Sequence, residues 1–179
     1  RSRSRTDWRP LQAPRLSRAD VQRANQFLLR REPLRLPLAD GEATVRPARL
    51  ASLADPVAIE LDVGRRTGVL EFETDLLRRA CDVLDPSIDW SAQPPELEGL
   101  LLEVVLAPWL EALESMLGCQ VVARRRVAEA ATDGQRSLPL EVQLGEVVRP
   151  ARLWLEPGDH DAFATAWAMR APQPAEWAW

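Results

Sequence analysis

The sequence contains no lysine and no tyrosine, and only one histidine and two cysteines among its 179 residues. One histidine cannot supply a zinc site built from several such ligands, and a nucleophilic triad could form only through His160. Cys81 and Cys119 share no spaced motif, so we expect reduced thiols of a cytosolic protein rather than a disulfide. The eight glycines are scattered, without a phosphate-binding loop. We predict no catalytic site, no cofactor and no metal.

The charge pattern excludes two further classes of protein. All 23 basic residues are Arg, yet the net charge is −4, and general nucleic-acid binders are usually basic. The longest apolar stretch is interrupted by Glu103 and Pro108, which excludes a transmembrane helix, and no apolar signal-peptide core follows the basic start. We expect no nucleic-acid partner and no direct membrane insertion.

The length fits one domain of ordinary size, and the chain lacks an initiator Met, so we interpret it as part of a longer protein. We expect a mobile basic tail over residues 1–16, a single α+β domain over 17–170 and a Pro/Ala-rich linker over 171–179. Ser17 begins a predicted amphipathic helix that ends before Pro33 and either packs on the domain or docks a partner. Its apolar face consists of Leu16, Val21, Ala24, Phe27 and Leu28.

A helix predicted from Pro95 to Gly118 is the main element of the chain. Proline suits its first turn and glycine a left-handed stop, whereas Pro108 costs about 3 kcal/mol and predicts a kink or two consecutive helices. At 100° per residue four carboxylates share a narrow stripe, Glu96, Glu103, Glu111 and Glu114. Because the apolar residues cover most of the remaining circumference, we expect this helix to be covered on more than one side. These residues are Leu97, Leu101, Leu102, Val105, Leu106, Trp109, Leu113, Met116 and Leu117.

Two segments, 57–84 and 138–169, share one order of elements: an alternating strand, a Gly turn, a returning strand and an apolar helix. The likeness is one of pattern, so an internal repeat and a chance resemblance both remain open. We predict an α+β fold with antiparallel sheets in two pseudo-repeated hairpin–helix halves around a long, Pro-kinked central helix.

A further strand is predicted over residues 119–127. Alternation places Arg125 on the face of Val121 and Ala123, and turns Arg124 and Arg126 to the opposite side. We interpret these arginines as solvated or salt-bridged, or as contacts for a partner, and the acidic stripe as a wet face or a docking strip for a basic partner. The candidate partner-binding residues are Glu96, Glu103, Glu111, Glu114, Arg124 and Arg126.

Three stretches resemble a known family. ELEGLLLEVVLAPWLEALESMLG resembles the central helix of the SctQ (YscQ/HrcQ) proteins of bacterial type III secretion systems, RANQFLLRREPLRL their N-terminal helix, and PLEVQLGEVVRPARLWLEP a strand pair before their linker. The resemblance spans roughly residues 17–170. It implies a fold similar to the middle domain of flagellar switch proteins and a non-enzymatic scaffold domain of the C-ring-like sorting platform.

The resemblance also implies partners and a location. These partners are the adaptor SctK, the stator and ATPase regulator SctL, the family's own SpoA-containing C-terminal product and chaperone–effector complexes. The location is cytoplasmic, peripheral to the inner membrane at the secretion apparatus. No part of the chain resembles the family's SpoA domains, so the resemblance implies that the chain is the N-terminal domain alone, with its linker leading toward SpoA domains.

Two alternatives remain: a generic protein-interaction adaptor, or a domain related to CheC-type phosphatases without their catalytic motif. That motif has an acidic residue three positions before Asn, whereas Asn25, the only Asn, follows Gln22.

Overall fold

The computed structural model describes residue 18 and residues 33–38, 41–89 and 92–169. Arg18 is helical and exposed. The rest of the predicted amphipathic helix, the basic tail 1–16 and the linker 171–179 lie outside the described residues. In the described ranges the elements are β1 (Leu34–Leu38), β2 (Gly41–Pro47), β3 (Pro56–Val63), β4 (Arg66–Glu73), α1 (Thr74–Leu84), α2 (Pro95–Leu117), β5 (Val121–Val127), β6 (Arg136–Leu144), β7 (Val147–Leu155) and α3 (Pro157–Met169).

The described strands form one antiparallel sheet in the order β1-β2-β6-β7-β4-β3-β5. Two of its hairpins, β3–β4 and β6–β7, each lead directly into a helix, α1 and α3. Strands β4 and β7 pair with Leu70 opposite Leu153, which joins the two hairpin–helix halves side by side. The predicted fold class is confirmed, with one difference. The two halves share a single sheet instead of holding separate sheets on either side of the central helix.

The core lies between one face of the sheet and the helices. Alternate residues of a strand point to the same face. In β3 the residues on the core face are all buried, namely Val57, Ile59, Leu61 and Val63. In this core the Phe72 ring meets Trp109 of α2 edge-on, with the ring centroids 5.0 Å apart. Fully burying one such apolar side chain contributes about 1.5–3 kcal/mol. The α2 helix contributes five side chains to this core, Leu102, Val105, Leu106, Leu110 and Leu113.

The central helix α2 has the ends that its sequence predicts. Pro94 is its N-cap residue, and Gly118 ends it in the left-handed region at φ 68°, where its backbone N–H donates to Glu114 O. The helix continues through Pro108, so the alternative of two consecutive helices is wrong. Because Pro108 lacks an N–H, one turn of the helix has a backbone hydrogen bond fewer, and packing of the inner side on the sheet offsets that loss.

A partly buried ion pair joins the start of α3 to the β3–β4 hairpin. Asp159 is buried, and its carboxylate accepts two hydrogen bonds from Arg66, at 2.6 Å from Nε and 2.8 Å from Nη2. This bidentate geometry is the strong form of an Arg–carboxylate pair, and it raises the pKa of Arg66 above its ordinary value. Asp159 therefore connects the two halves in addition to occupying the positive first turn of a helix.

Strand β5 contains a β-bulge, which changes which arginines face the helices. Glu60 of β3 pairs with Arg125 and Leu61 with Ala123, so Arg124 is the extra residue. An extra residue reverses the alternation beyond it. The expectation that Arg125 shares the face of Val121 and Ala123 is therefore wrong. It is Arg126 that lies on the helix side, with its Nε 2.7 Å from Glu98 Oε1 of α2.

The two cysteines are free thiols, and Cys81 is buried. Burial, aided by Asp82, raises the pKa of the Cys81 thiol from 9.0 to about 11. Because the thiolate is the nucleophile, we expect iodoacetamide at pH 8 to alkylate Cys81 about a hundredfold more slowly in the folded than in the unfolded protein. Mass spectrometry of the Cys81 peptide measures both rates. Equal rates would contradict the burial of this thiol.

Candidate protein-binding surface

The outer side of α2, away from the sheet, carries exposed apolar side chains. Leu97, Leu100 and Val104 are 47%, 59% and 53% exposed. Their spacing of three and four residues places them in one row along the helix. The expected cover of α2 on more than one side is confirmed, since the sheet, α1 and α3 all contact this helix. The cover does not extend to Leu97, which was expected to be covered and is exposed with the rest of this row.

Carboxylates flank this apolar row. Glu96, Glu103 and Glu111 are exposed, and no ion pair or hydrogen bond joins their side chains to any residue in the described ranges. The α2 sequence contains no Arg or His that could neutralise them. The outer side of α2 is therefore both apolar and negatively charged. We call it the acidic–apolar face, and it consists of Glu96, Leu97, Leu100, Glu103, Val104 and Glu111.

The fourth carboxylate of the predicted stripe has a contact within the chain. Glu114 is half-buried, and its Oε1 accepts the backbone N–H of Val121 at 3.0 Å. This hydrogen bond connects the end of α2 to the first residue of β5 across the Gly118 turn. Glu114 thus positions the helix against the edge strand, and its carboxylate is less accessible to a partner than the other three.

The two arginines predicted to bind a partner also have partners in the chain. Arg124 Nε lies 3.5 Å from Asp62 Oδ2, while Arg126 pairs with Glu98 as described above. Both arginines therefore form ion pairs with carboxylates other than Glu96, Glu103 and Glu111. Partner binding by Arg124, Arg126 and Glu114 remains a prediction.

Two members of the acidic–apolar face, Leu100 and Val104, were absent from the apolar set predicted to be covered. The signal was present in the sequence, because Leu100 lies four residues after Glu96 and three before Glu103. Residues at those spacings are neighbours on a helix surface. A leucine placed between two carboxylates of a solvent-facing stripe belongs to that stripe.

A small apolar cavity lies between α1, α2 and the sheet. Its volume is about 30 Å³, which is the share of one water molecule in the liquid, whereas sites for small molecules usually measure about 300–1,000 Å³. A cofactor therefore does not fit there. The cavity is lined by Ala43, Phe72, Leu76, Leu77, Ala80, Val105, Leu106, Trp109, Val142 and Leu144.

The described ranges hold neither a cluster of metal ligands nor a membrane-spanning helix. In the described ranges no three His, Cys, Asp or Glu side chains converge on a position that could hold a metal ion. Of the helices that the structure describes, none is both long and apolar enough to cross a membrane. The acidic–apolar face combines two features used in protein recognition, apolar side chains that supply contact area and unpaired carboxylates that favour a cationic partner.

No protein-family model matches the chain, and no curated protein matches it in sequence. Solved structures of similar fold include FliM from H. pylori in complex with SpeE, with 14% identity, a TM-score of 0.48, and 71% of this chain and 80% of that chain covered. The middle domain of H. pylori FliM has 12% identity and a TM-score of 0.47 over 82% and 87%. Thermotoga maritima FliY has 11% identity and a TM-score of 0.41 over 80% and 89%. These likenesses concern the fold alone.

Proposed function

We propose that this chain is a non-enzymatic scaffold domain of the cytoplasmic sorting platform of a type III secretion system. It lies at the periphery of the inner membrane and binds other platform subunits, the adaptor SctK and the stator SctL first among them. Its further partners are the SpoA-containing product of its own family and the chaperone–effector cargo that the platform recruits. The resemblance of the α2 sequence to the SctQ family supports this proposal.

The acidic–apolar face is the observation that carries the proposal. The apolar row from Leu97 to Val104 loses contact with water when a partner covers it, at about 25 cal/mol for each Å² of apolar surface. Glu103 and Glu111 beside it have no cation within the described part of the chain, so a basic partner helix can pair with them. Such a helix needs apolar residues every three or four positions and Arg or Lys beside them.

The test uses the whole 179-residue chain and the purified SctK-type and SctL-type proteins of the same organism. We expect the unmodified chain to bind one of them, and the double substitution Leu100→Arg with Val104→Arg to weaken that binding about thirtyfold. This change corresponds to two apolar anchors of about 1 kcal/mol each. Surface plasmon resonance or calorimetry measures both dissociation constants.

The matched control is Leu50→Arg, a substitution of the same type at a leucine that is 82% exposed and lies outside α2. It is expected to leave the dissociation constant unchanged. A chain that binds neither subunit would overturn the proposed function. Binding that Leu50→Arg weakens as much as the α2 double substitution would remove the acidic–apolar face from the interface.

The salt dependence of association tests the carboxylates of the acidic–apolar face separately from its apolar residues. Replacing both Glu103 and Glu111 with Arg should slow association with a basic partner and remove most of its salt dependence, because exposed charges act mainly on the association rate. Equal association rates at low and high salt for the unmodified chain would show that these carboxylates do not face the partner.

A further inference from the structure

The charge of the chain is divided unevenly between its start and the remainder. Residues 1–32 contain nine Arg and three acidic residues, a net charge of +6, while the whole chain has −4. Residues 33–179 therefore have a net charge of −10. The positive segment and the unpaired carboxylates of α2 belong to the same molecule, so they attract each other at a high effective concentration.

The predicted helix within residues 17–32 also matches the acidic–apolar face in pattern and in length. Its apolar positions Val21, Ala24 and Phe27 repeat at the three-residue spacing of one helix face, with Arg23 and Arg30 beside them. A helix over residues 17–31 is about 21 Å long, and so is the stretch of α2 from residue 97 to residue 111. The segment thus has the basic amphipathic character that the face requires.

The chain enters the described part next to α2. Leu34, the first residue of β1, packs in one apolar cluster with Trp109, Ala112 and Leu113 of that helix. From Leu113 to Leu97 the helix measures about 24 Å. The predicted helix over residues 17–31 ends two residues before Pro33 and is about 21 Å long, so a segment attached at Pro33 has the length to lie along the face.

We propose that residues 1–32 dock on the acidic–apolar face of their own molecule and cover it until a partner displaces them. The displacement rests on the function proposed above, whereas the docking itself does not. A second copy of the chain is a poorer occupant through the same face, because α2 has five Glu and no basic residue and like charges would meet. The platform partner must then compete with a tethered basic segment that occupies the same surface.

The experiment is disulfide trapping in the full chain, which needs no partner protein. We expect Ala24→Cys combined with Val104→Cys to form an intramolecular cross-link on addition of diamide, seen as a faster-migrating monomer. The matched control is Ala24→Cys with Thr165→Cys, an exposed position on α3, and it should remain uncross-linked. The two single-cysteine variants account for any reaction of the native thiols Cys81 and Cys119.

Charge reversal tests the physical cause. Adding Glu103→Arg and Glu111→Arg to the cross-linking pair should slow trapping about fivefold, as expected for losing two exposed ion pairs of about 0.5 kcal/mol each. Any of three results would overturn the inference. The Thr165 pair could cross-link as fast as the Val104 pair, the Val104 pair could form no cross-link, or charge reversal could leave the trapping rate unchanged. A cross-linked dimer would also overturn it and would identify a second copy as the occupant.

This outcome is separable from that of the proposed function. If Ala24 and Val104 do not cross-link but SctK or SctL still binds the chain, the docking inference fails and the scaffold function stands. If they cross-link but neither subunit binds, the segment covers its own face and the platform function fails.

Discussion

Trp167→Ala is expected to lower the free energy of unfolding by about 3–5 kcal/mol, the usual cost of deleting a large buried aromatic side chain. Trp167 is 2% exposed and is among the largest fully buried side chains of the described residues. Its ring meets Phe163 edge-on with centroids 5.5 Å apart, and it packs in one apolar cluster with Trp109 and Leu113 of α2. Removing it leaves a cavity where α3 contacts the central helix.

Urea denaturation followed by circular dichroism measures this loss, provided that unfolding is two-state. Thr165→Ala is the control, because Thr165 is exposed on the same helix and its truncation should change stability by less than about 0.5 kcal/mol. A Trp167→Ala midpoint within error of the Thr165→Ala midpoint would show that α3 does not pack on the core as described.

Leu106→Ala is the second substitution with a large expected effect, a loss of about 2–5 kcal/mol. Leu106 is 2% exposed and lines the same small cavity as Phe72 and Val142 of the sheet. Leu100 lies six residues earlier on the same helix but is mostly exposed, so Leu100→Ala should cost less than about 0.5 kcal/mol. Since both substitutions exchange Leu for Ala in one helix, helix propensity cancels and the difference reports burial.

The pair also separates stability from binding. Leu100→Ala should retain the unfolding midpoint of the unmodified chain and still weaken partner binding, while Leu106→Ala should lower the midpoint. Similar unfolding losses for the two variants would mean that the row from Leu97 to Val104 is covered as well. The acidic–apolar face would then not exist as a free surface.

Much of the fold could be predicted from the sequence because its signals are local. Pro95 and Gly118 bound α2, and both suit the backbone conformation required at their end of a helix. The strands of the two hairpins alternate apolar and polar residues, and Gly64 and Gly145 turn them with positive φ of 61° and 62°. Each of these features depends on a few neighbouring residues, which is the range over which sequence patterns are informative.

The parts that could not be predicted depend on distant pairings. That β4 pairs with β7, and so makes one sheet of the two halves, follows from contacts about 80 residues apart in the chain. The bulge at Arg124 arises where β5 meets β3, and alternation within β5 alone does not reveal an extra residue. The sequence therefore predicted the faces of Val121 and Ala123 correctly but reversed those of Arg125 and Arg126.

The candidate surface was predicted in part for a related reason. Spacing along α2 was enough to place Glu96, Glu103 and Glu111 on one stripe. Apolar content predicted that α2 is covered on more than one side, but it does not reveal which residues the neighbouring elements reach. The sheet, α1 and α3 contact other sides of α2, and Leu97, Leu100 and Val104 are left exposed.

The two outermost strands have a consequence for any assembly that holds many copies of this domain close together. β1 has only five residues and includes Pro37, which cannot donate a backbone hydrogen bond, while β5 is bent by its bulge and carries Arg124, Arg125 and Arg126. Edge strands that are short, bulged or charged, or that contain proline, prevent the sheets of neighbouring molecules from pairing edge to edge into fibrils. Crowded copies can therefore remain separate subunits, and contacts between proteins are directed to side chains on a helix instead of open backbone.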